Sequence, residues 1–198
     1  MEIPLYLEWI CTAAFALSGV LSARDSNVDL DIFGVVVVGV LTALGGGTIR
    51  DILLDAEVFW LQRTDMLYWA VTVSGVGFFG LRYIKHRLDA PVLVLDAIGL
   101  AVFSVYGALK GQSMGYPWIS CVMMGVITGI GGGMLRDVCS AQIPMVMRKE
   151  IYATAAFLAA LCAVLVPNQY GIWLGMLSCL ALRLSAIRWS LSLSARGW

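Results

Sequence analysis

Seven apolar stretches separated by short polar connectors organise the chain, at about 4–23, 32–54, 65–84, 91–110, 116–139, 150–166 and 170–187. A helix rises about 1.5 Å per residue, so about 20 apolar residues span a hydrocarbon layer about 30 Å thick. Five stretches reach that length and the last two fall short of it. The connectors RDSNVDLD, DAEVFWLQRTD, KHRLDAP, KGQSMGYP, MRKE and PNQY carry turn and charge signals. The pattern predicts an all-α polytopic membrane protein with seven transmembrane helices, and a single membrane domain over residues 1–198.

Two of the stretches share one device. Residues 44–51 read LGGGTIRD and residues 130–137 read IGGGMLRD, 86 positions apart. Shifting the chain by 86 lays Gly39, Thr42, Gly45, Gly46, Gly47, Arg50 and Asp51 on Gly125, Thr128, Gly131, Gly132, Gly133, Arg136 and Asp137. In the preceding stretch a shift of 88 lays Glu8, Phe15 and Gly19 on Asp96, Phe103 and Gly107. A weaker match at 85 lays Arg63 and Asp65 on Arg148 and Glu150. Spans one to three therefore repeat as spans four to six. Repeat one covers 1–86, repeat two covers 87–168, and a seventh helix over 169–190 is left over. Three crossings is an odd number, so the second copy starts on the opposite face and the repeats are inverted, an arrangement typical of secondary transporters.

Composition narrows the class. The chain is 60% hydrophobic and 13% charged, with a mean hydropathy of +0.86, whereas soluble domains average about 25% charged residues. Zero formal net charge gives no reason to expect a nucleic-acid partner. The start, MEIPLYLEWI, has no positive n-region, so its apolar run is expected to be a retained span. With the N-terminus outside, Arg24, Arg82, Lys85, Arg87, Arg148, Lys149, Arg183, Arg188 and Arg196 fall on the cytoplasmic side, and Arg63 and Lys110 on the other. Nine against two predicts an outside N-terminus and a cytoplasmic C-terminus.

The candidate chemistry sits in the repeated device. Glycine costs about 1 kcal/mol against alanine in a helix interior. Two triplets, Gly45–Gly47 and Gly131–Gly133, therefore read as hinges that bend or unwind a helix, or as notches that admit a second backbone. GxxxG pairs at Gly107/Gly111, Gly129/Gly133 and Gly171/Gly175 read as packing. Arg50 and Arg136 lie inside spans, where a charge costs at least about 2.5–3.5 kcal/mol, so both are expected to face protein or water. Neighbours on a helix point about 100° apart, which disfavours Arg50 with Asp51. The expected pairs cross between repeats, Arg50 with Asp137 and Arg136 with Asp51, or run to Glu8 and Asp96. Such pairs suit an ion pathway, a lock between repeats, or both. Glu8 and Asp96 are candidate pathway carboxylates or interface residues within reach of water. Phe15 and Phe103 either narrow a pore or pack the core.

Cys11, Cys121, Cys139, Cys162 and Cys179 are scattered without CxxC spacing and read as small apolar fillers. His86 is the sole histidine and lies in a charged connector. No metal site and no cofactor is expected. HExxH, GxxxxGK[ST] and a nucleophile–histidine arrangement are missing from the sequence, which is read as a non-enzyme.

The duplicated GGGxxRD, the three-plus-three repeat with a seventh span, and the segment LDAIGLAVFSVYGALK resemble the prokaryotic members of the trimeric intracellular cation channel (TRIC) family. The resemblance covers essentially the whole chain. It implies a homotrimer in the prokaryotic inner membrane, with a hydrophilic pore in each protomer permeable to potassium and other monovalent cations. It also implies that the second and fifth helices are kinked at Gly45–Gly47 and Gly131–Gly133 and line that pore. The lysine–glutamate motif of animal members has no clear counterpart here. Some bacterial relatives are described as glycine transporters, so a small amino-acid carrier stands beside the channel reading. A purely structural membrane protein fits less well, because burying charge for packing alone is costly.

Overall fold

The computed structural model describes residues 4–26, 28–81, 89–148 and 150–189. Among them it holds nine helices. Seven are long: α1 (Leu5–Arg24), α2 (Ile32–Leu53), α4 (Thr64–Leu81), α5 (Asp89–Ser113), α6 (Trp118–Cys139), α8 (Glu150–Leu165) and α9 (Asn168–Trp189). Two are single turns, α3 (Phe59–Gln62) and α7 (Met145–Arg148). Five helices are long and apolar enough to cross a membrane: α1, α2, α5, α6 and α9. The seventh stretch, short on paper, is a full 22 residues as α9. The third long helix of each repeat, α4 and α8, covers 18 and 16 of the described residues.

The helices are apolar on nearly all sides, as lipid-facing helices must be, so packing is directed by small residues rather than by a greasy stripe. Ala16, Ala70, Ala97, Ala108, Ala155, Ala156, Ala159 and Ala160 are fully buried. Phe33, Tyr68, Val76 and Leu177 stand outward, each more than 60% exposed. One core joins α5, α6, α8 and α9 around Leu100, Val105 and Tyr152. Smaller ones join α1 and α2, with Phe15 and Leu44 in one and Val20 and Val38 in the other. The two repeats meet mainly through α2 on α6 and α1 on α5.

The two copies agree at the level of single bonds. The chain leaves α2 through Asp55 at φ 51° and leaves α6 through Ala141 at φ 52°. Leu54 N–H bonds to Arg50 O and Ser140 N–H to Arg136 O, and Ala56 N–H to Asp51 O and Gln142 N–H to Asp137 O. Each exit leads to a four-residue helix, α3 or α7, again 86 positions apart. The sequence reading left both turns inside connectors. Neither has length enough to be seen as a helical period, and each depends on a distant carboxylate. The boundary proposed near residue 86, together with Arg82, Lys85, His86, Arg87, Lys149 and Arg196, lies outside the described residues.

Candidate functional site

The glycine triplets lie where α2 crosses α6. A Cβ on Gly46 would stand 2.2 Å from Thr128 O, and one on Gly132 would stand 2.1 Å from Thr42 O. Gly45 faces Leu135 and Gly131 faces Ile49, so each helix meets the other in reverse order and the pair is antiparallel. Both helices run through their triplets without interruption, so the expected unwinding into half-helices does not occur. The triplets act first as notches, because only a backbone without Cβ allows this approach. The GxxxG glycines also sit against neighbours, Gly107 on Thr128 and Gly129 on Ser104.

Arg50 and Arg136 each lie four residues beyond the crossing glycine, on antiparallel helices. At about 1.5 Å per residue they are separated by roughly 12 Å along the helix direction, on opposite sides of the crossing. That separation overturns the cross-repeat pairs. Arg50 Nε donates to Asp51 Oδ1 at 2.7 Å, and Arg136 Nε donates to Asp137 Oδ1 at 2.8 Å. The 100° argument underrated an arginine long enough to fold back on its neighbour at a helix end. The second carboxylate oxygen serves the next helix: Asp51 Oδ2 accepts from Phe59 N–H at 2.9 Å and Asp137 Oδ2 from Met145 N–H at 2.8 Å. All four charged side chains are buried.

Beyond this shared core the two halves differ. Arg136 Nη1 donates to Asp96 Oδ1 at 2.7 Å and to Ser18 Oγ at 2.6 Å, and Tyr152 OH donates to the same Asp96 oxygen at 3.2 Å. Asp96 and Arg136 are fully buried. The pairing of Arg136 with Asp96 is the one expected. Arg183 closes the cluster from α9, its guanidinium 4.7 Å from the Tyr152 ring centre and its Nη2 4.0 Å from Asp96 Oδ2. It is 1% exposed, which removes it from the cytoplasmic surface where the sequence count had placed it.

In the other half Arg50 lies over the rings of Tyr106 and Phe59, at 5.0 and 5.7 Å. Glu8, the equivalent of Asp96, forms its ion pair with Arg63 at 2.5 Å rather than with Arg50. Arg63 also reaches Asp65 at 3.2 Å. Burial alone would lower the Arg63 pKa, but bonds and charge from Glu8 and Asp65 outweigh it and hold the pKa above its ordinary value.

A cavity opens on this side between Glu8, Thr12, Arg50, Phe59, Met66 and Tyr106, and ends against Phe15, Phe103, Gly46 and Thr128 at the crossing. It is narrow: its volume of about 20 Å³ seats one water or two. The Phe15 and Phe103 rings meet at its inner end with centroids 5.2 Å apart, one from each repeat. Glu8 thus lines the cavity, whereas Asp96 is sealed in the opposite half.

Sequence reasoning missed Ser18, Tyr106, Tyr152 and Arg183. Ser18 and Tyr106 obey the same shift of 88 as Glu8 and Asp96 and each faces the arginine of the other repeat, but their unlike side chains hide the equivalence. Arg183 had a visible signal, since it is the sole charge between Asn168 and Ile187. The cysteines are unbridged; Cys11, Cys121 and Cys179 are buried, and Cys139 is exposed at the end of α6. Among the described residues no cluster of metal-ligating side chains occurs.

Residues 5–83 and 93–168 match the family model described as "Glycine transporter". The inner membrane protein YadS of Escherichia coli K12 is 42% identical over 195 residues, covering 95% of this chain and 93% of YadS. The membrane protein YvgT of Bacillus subtilis is 36% identical over 84% of this chain and 83% of its own. Among solved structures, the TRIC channel orthologue from Rhodobacter sphaeroides superposes with a TM-score of 0.86 at 33% identity, covering 94% of this chain and 98% of that one. A prokaryotic TRIC channel solved in 0.5 M KCl gives 0.85 at 34% identity, covering 95% and 97%. The chain is a multi-pass membrane protein and belongs to the prokaryotic TRIC family.

Proposed function

We propose that the protein is a cation channel permeable to potassium and other monovalent cations, with a pore in each protomer of a homotrimer. The observation that carries the reading is the cavity between Glu8 and Arg50. It has a carboxylate at its mouth and stops at the α2–α6 crossing, where two aromatic rings close it. The two solved relatives are both described as TRIC channels, which supports the same activity here. On this reading α2 and α6 line the pathway and bend at Gly45–Gly47 and Gly131–Gly133. Thr42 and Thr128 favour such a bend, since each hydroxyl donates at 2.6 Å to the carbonyl four residues back. Asp51 and Asp137 fix the arginines, so that Arg50 and Arg136 stand at the two ends of the crossing without adding net charge.

The orientation follows the basic residues. Removing Arg183 from the nine leaves eight against two, which still supports an outside N-terminus and a cytoplasmic C-terminus in the inner membrane. The Glu8 cavity then faces outward and the Asp96 cluster inward. The partners of such a protein are monovalent cations, membrane lipids and two further copies of the chain.

A carrier for a small zwitterionic amino acid, glycine above all, is the second reading. One observation favours it: a carboxylate, Glu8, and a guanidinium, Arg50, line the same cavity, opposite charges that would suit an ammonium and a carboxylate. The matched family model carries the same suggestion in its description. Current through the purified protein in a planar bilayer under asymmetric potassium chloride, with and without glycine, separates the two. Discrete unitary currents reversing near the potassium potential are expected. A silent bilayer joined by saturable glycine uptake into proteoliposomes overturns the channel.

A further inference from the structure

We infer that Asp96 is a two-position latch, held on Arg136 in this conformation and passed to Arg183 to open the inner half of the pathway, an inference that rests on the channel reading for what the opening conducts.

Equal parts of the two repeats are unequally arranged. Glu8 and Asp96 occupy equivalent positions, as do Arg50 and Arg136, yet Asp96 is bound to Arg136 and Glu8 is drawn aside to Arg63. The half whose carboxylate has left its arginine has the cavity; the half whose carboxylate is in place is sealed. Because the two repeats are built alike, the arrangement seen in one is available to the other. Repeat two taking the arrangement of repeat one means that Asp96 leaves Arg136 while Glu8 stays on Arg63, so that both halves are open at once. A carboxylate leaving a buried partner needs another cation, as Glu8 has in Arg63.

Arg148, the counterpart of Arg63 at a shift of 85, is exposed, and the seventh helix places a buried cation beside Asp96 instead. Arg183 Nη2 stands 4.0 Å from Asp96 Oδ2, too far for a hydrogen bond. Asp96 Oδ2, Arg183 Nη2 and Arg183 Nε are all buried without a hydrogen-bond partner. Arg136 Nη2 is unpaired as well. Buried polar atoms are nearly always paired, so an unpaired donor and acceptor 4.0 Å apart, Arg183 Nη2 and Asp96 Oδ2, mark a bond poised to form. A small rotation of the Asp96 side chain makes it. Arg136 then keeps Asp137 through Nε and is not stranded. Tyr152 touches both positions, its hydroxyl on Asp96 and its ring against Arg183. Ser18 orients Arg136 toward the held position, its Oγ accepting from the same Nη1 that donates to Asp96. One turn further along α1 and α6, Ser22 and Ser140 meet at 3.5 Å and close the route to that face.

The test reads the opening directly, without current. Ser22→Cys is placed in protein whose Cys139 and Cys162 are replaced by alanine, reconstituted, and labelled with a membrane-impermeant thiol reagent from the face of the α1 C-terminus. Ser18→Ala and Tyr152→Phe each remove one bond from the held position, and each is expected to speed labelling about fivefold, the equilibrium change for one hydrogen bond. Arg183→Gln removes the receiving position and is expected to slow labelling, with Arg183→Lys near the parent. Unchanged labelling in Ser18→Ala and Tyr152→Phe overturns the latch, even where Arg183→Gln fails to reach the membrane. So does Arg183→Gln moving labelling in the same direction as they do. Opposite shifts with a silent bilayer keep the latch and sink the channel reading, whereas unitary currents with unmoved labelling sink the latch alone.

Discussion

Gly46 and Gly132 sit against each other's helix so closely that the missing Cβ of each would lie within 2.2 Å of a backbone carbonyl oxygen of the partner. The obstacle is backbone on both sides, so no side chain can swing away to make room. This contact joins the two repeats at their centre and sets how far Arg50 and Arg136 stand apart. The buried arginines and their carboxylates are arranged around it.

Gly46→Ala and Gly132→Ala must push α2 away from α6. Overpacking of this kind costs about 1–3 kcal/mol, more than the 0.5–1 kcal/mol or so that alanine returns in a helix. Gly75→Ala is the control, because nothing lies within 4 Å of a Cβ at that position of α4. Thermal unfolding in detergent should show a lower midpoint for the two crossing variants and an unchanged or higher one for Gly75→Ala. Equal midpoints for all three would remove the crossing as the centre of the fold.

The ion pairs should separate by burial. Asp96→Ala takes one of two carboxylates from the fully buried Arg136 and leaves the buried Arg183 without the carboxylate that stands 4.0 Å from it. Breaking a buried pair from one side costs about 3–5 kcal/mol. Glu8→Ala breaks a pair whose members are partly exposed, and for exposed pairs about 0–1 kcal/mol is at stake. Exchanging the charges of Arg50 and Asp137 should rescue neither single variant, since those residues do not meet. Recovery of expression and unfolding midpoint in that double variant would revive the cross-repeat pairing.

Asp51 and Asp137 hold the first amides of α3 and α7 from eight residues away. Asp51→Ala should abolish hydrogen-exchange protection at Phe59, and Asp137→Ala should do so at Met145. Exchange at Val38 and Val122, inside α2 and α6, should be far less affected. The asparagine variants keep one acceptor oxygen and should retain part of the protection. If the amides of α3 and α7 stay protected in the alanine variants, the carboxylates only orient the arginines.

Much of this fold is written in the periodicity of the chain. The long helices follow the apolar stretches to within a few residues, and the shift of 86 extends to matched turns at Asp55 and Ala141 that no residue identity advertises. The glycine triplets and the arginines were legible as a pair of equivalent devices because Gly, Arg and Asp recur letter for letter. Their partners were not, for a geometric reason. Which carboxylate an arginine meets depends on the offset of two crossing helices, and that offset is set by backbone contact at Gly46 and Gly132. Tyr106 and Ser18 escaped because equivalent positions there carry unlike chemistry. Arg183 escaped because proximity to a helix end was taken as exposure, although α9 buries that turn against Tyr152.

Phe15 and Phe103 meet at the narrow end of the cavity. Phe15 is 1% exposed, and truncating a buried phenylalanine costs about 3–5 kcal/mol, so Phe15→Ala confounds conduction with folding. Phe103 is half-buried and faces the same space, which makes Phe103→Ala the sharper probe. If the paired rings limit the flow, removing one should raise the unitary current in symmetric potassium chloride while leaving the reversal potential in a gradient unchanged. Glu8→Gln should do the reverse, lowering the current most at low salt, where a carboxylate at the mouth concentrates cations and is least screened. An unchanged unitary current in Phe103→Ala would move the constriction past the crossing, to the sealed half around Asp96 and Arg136.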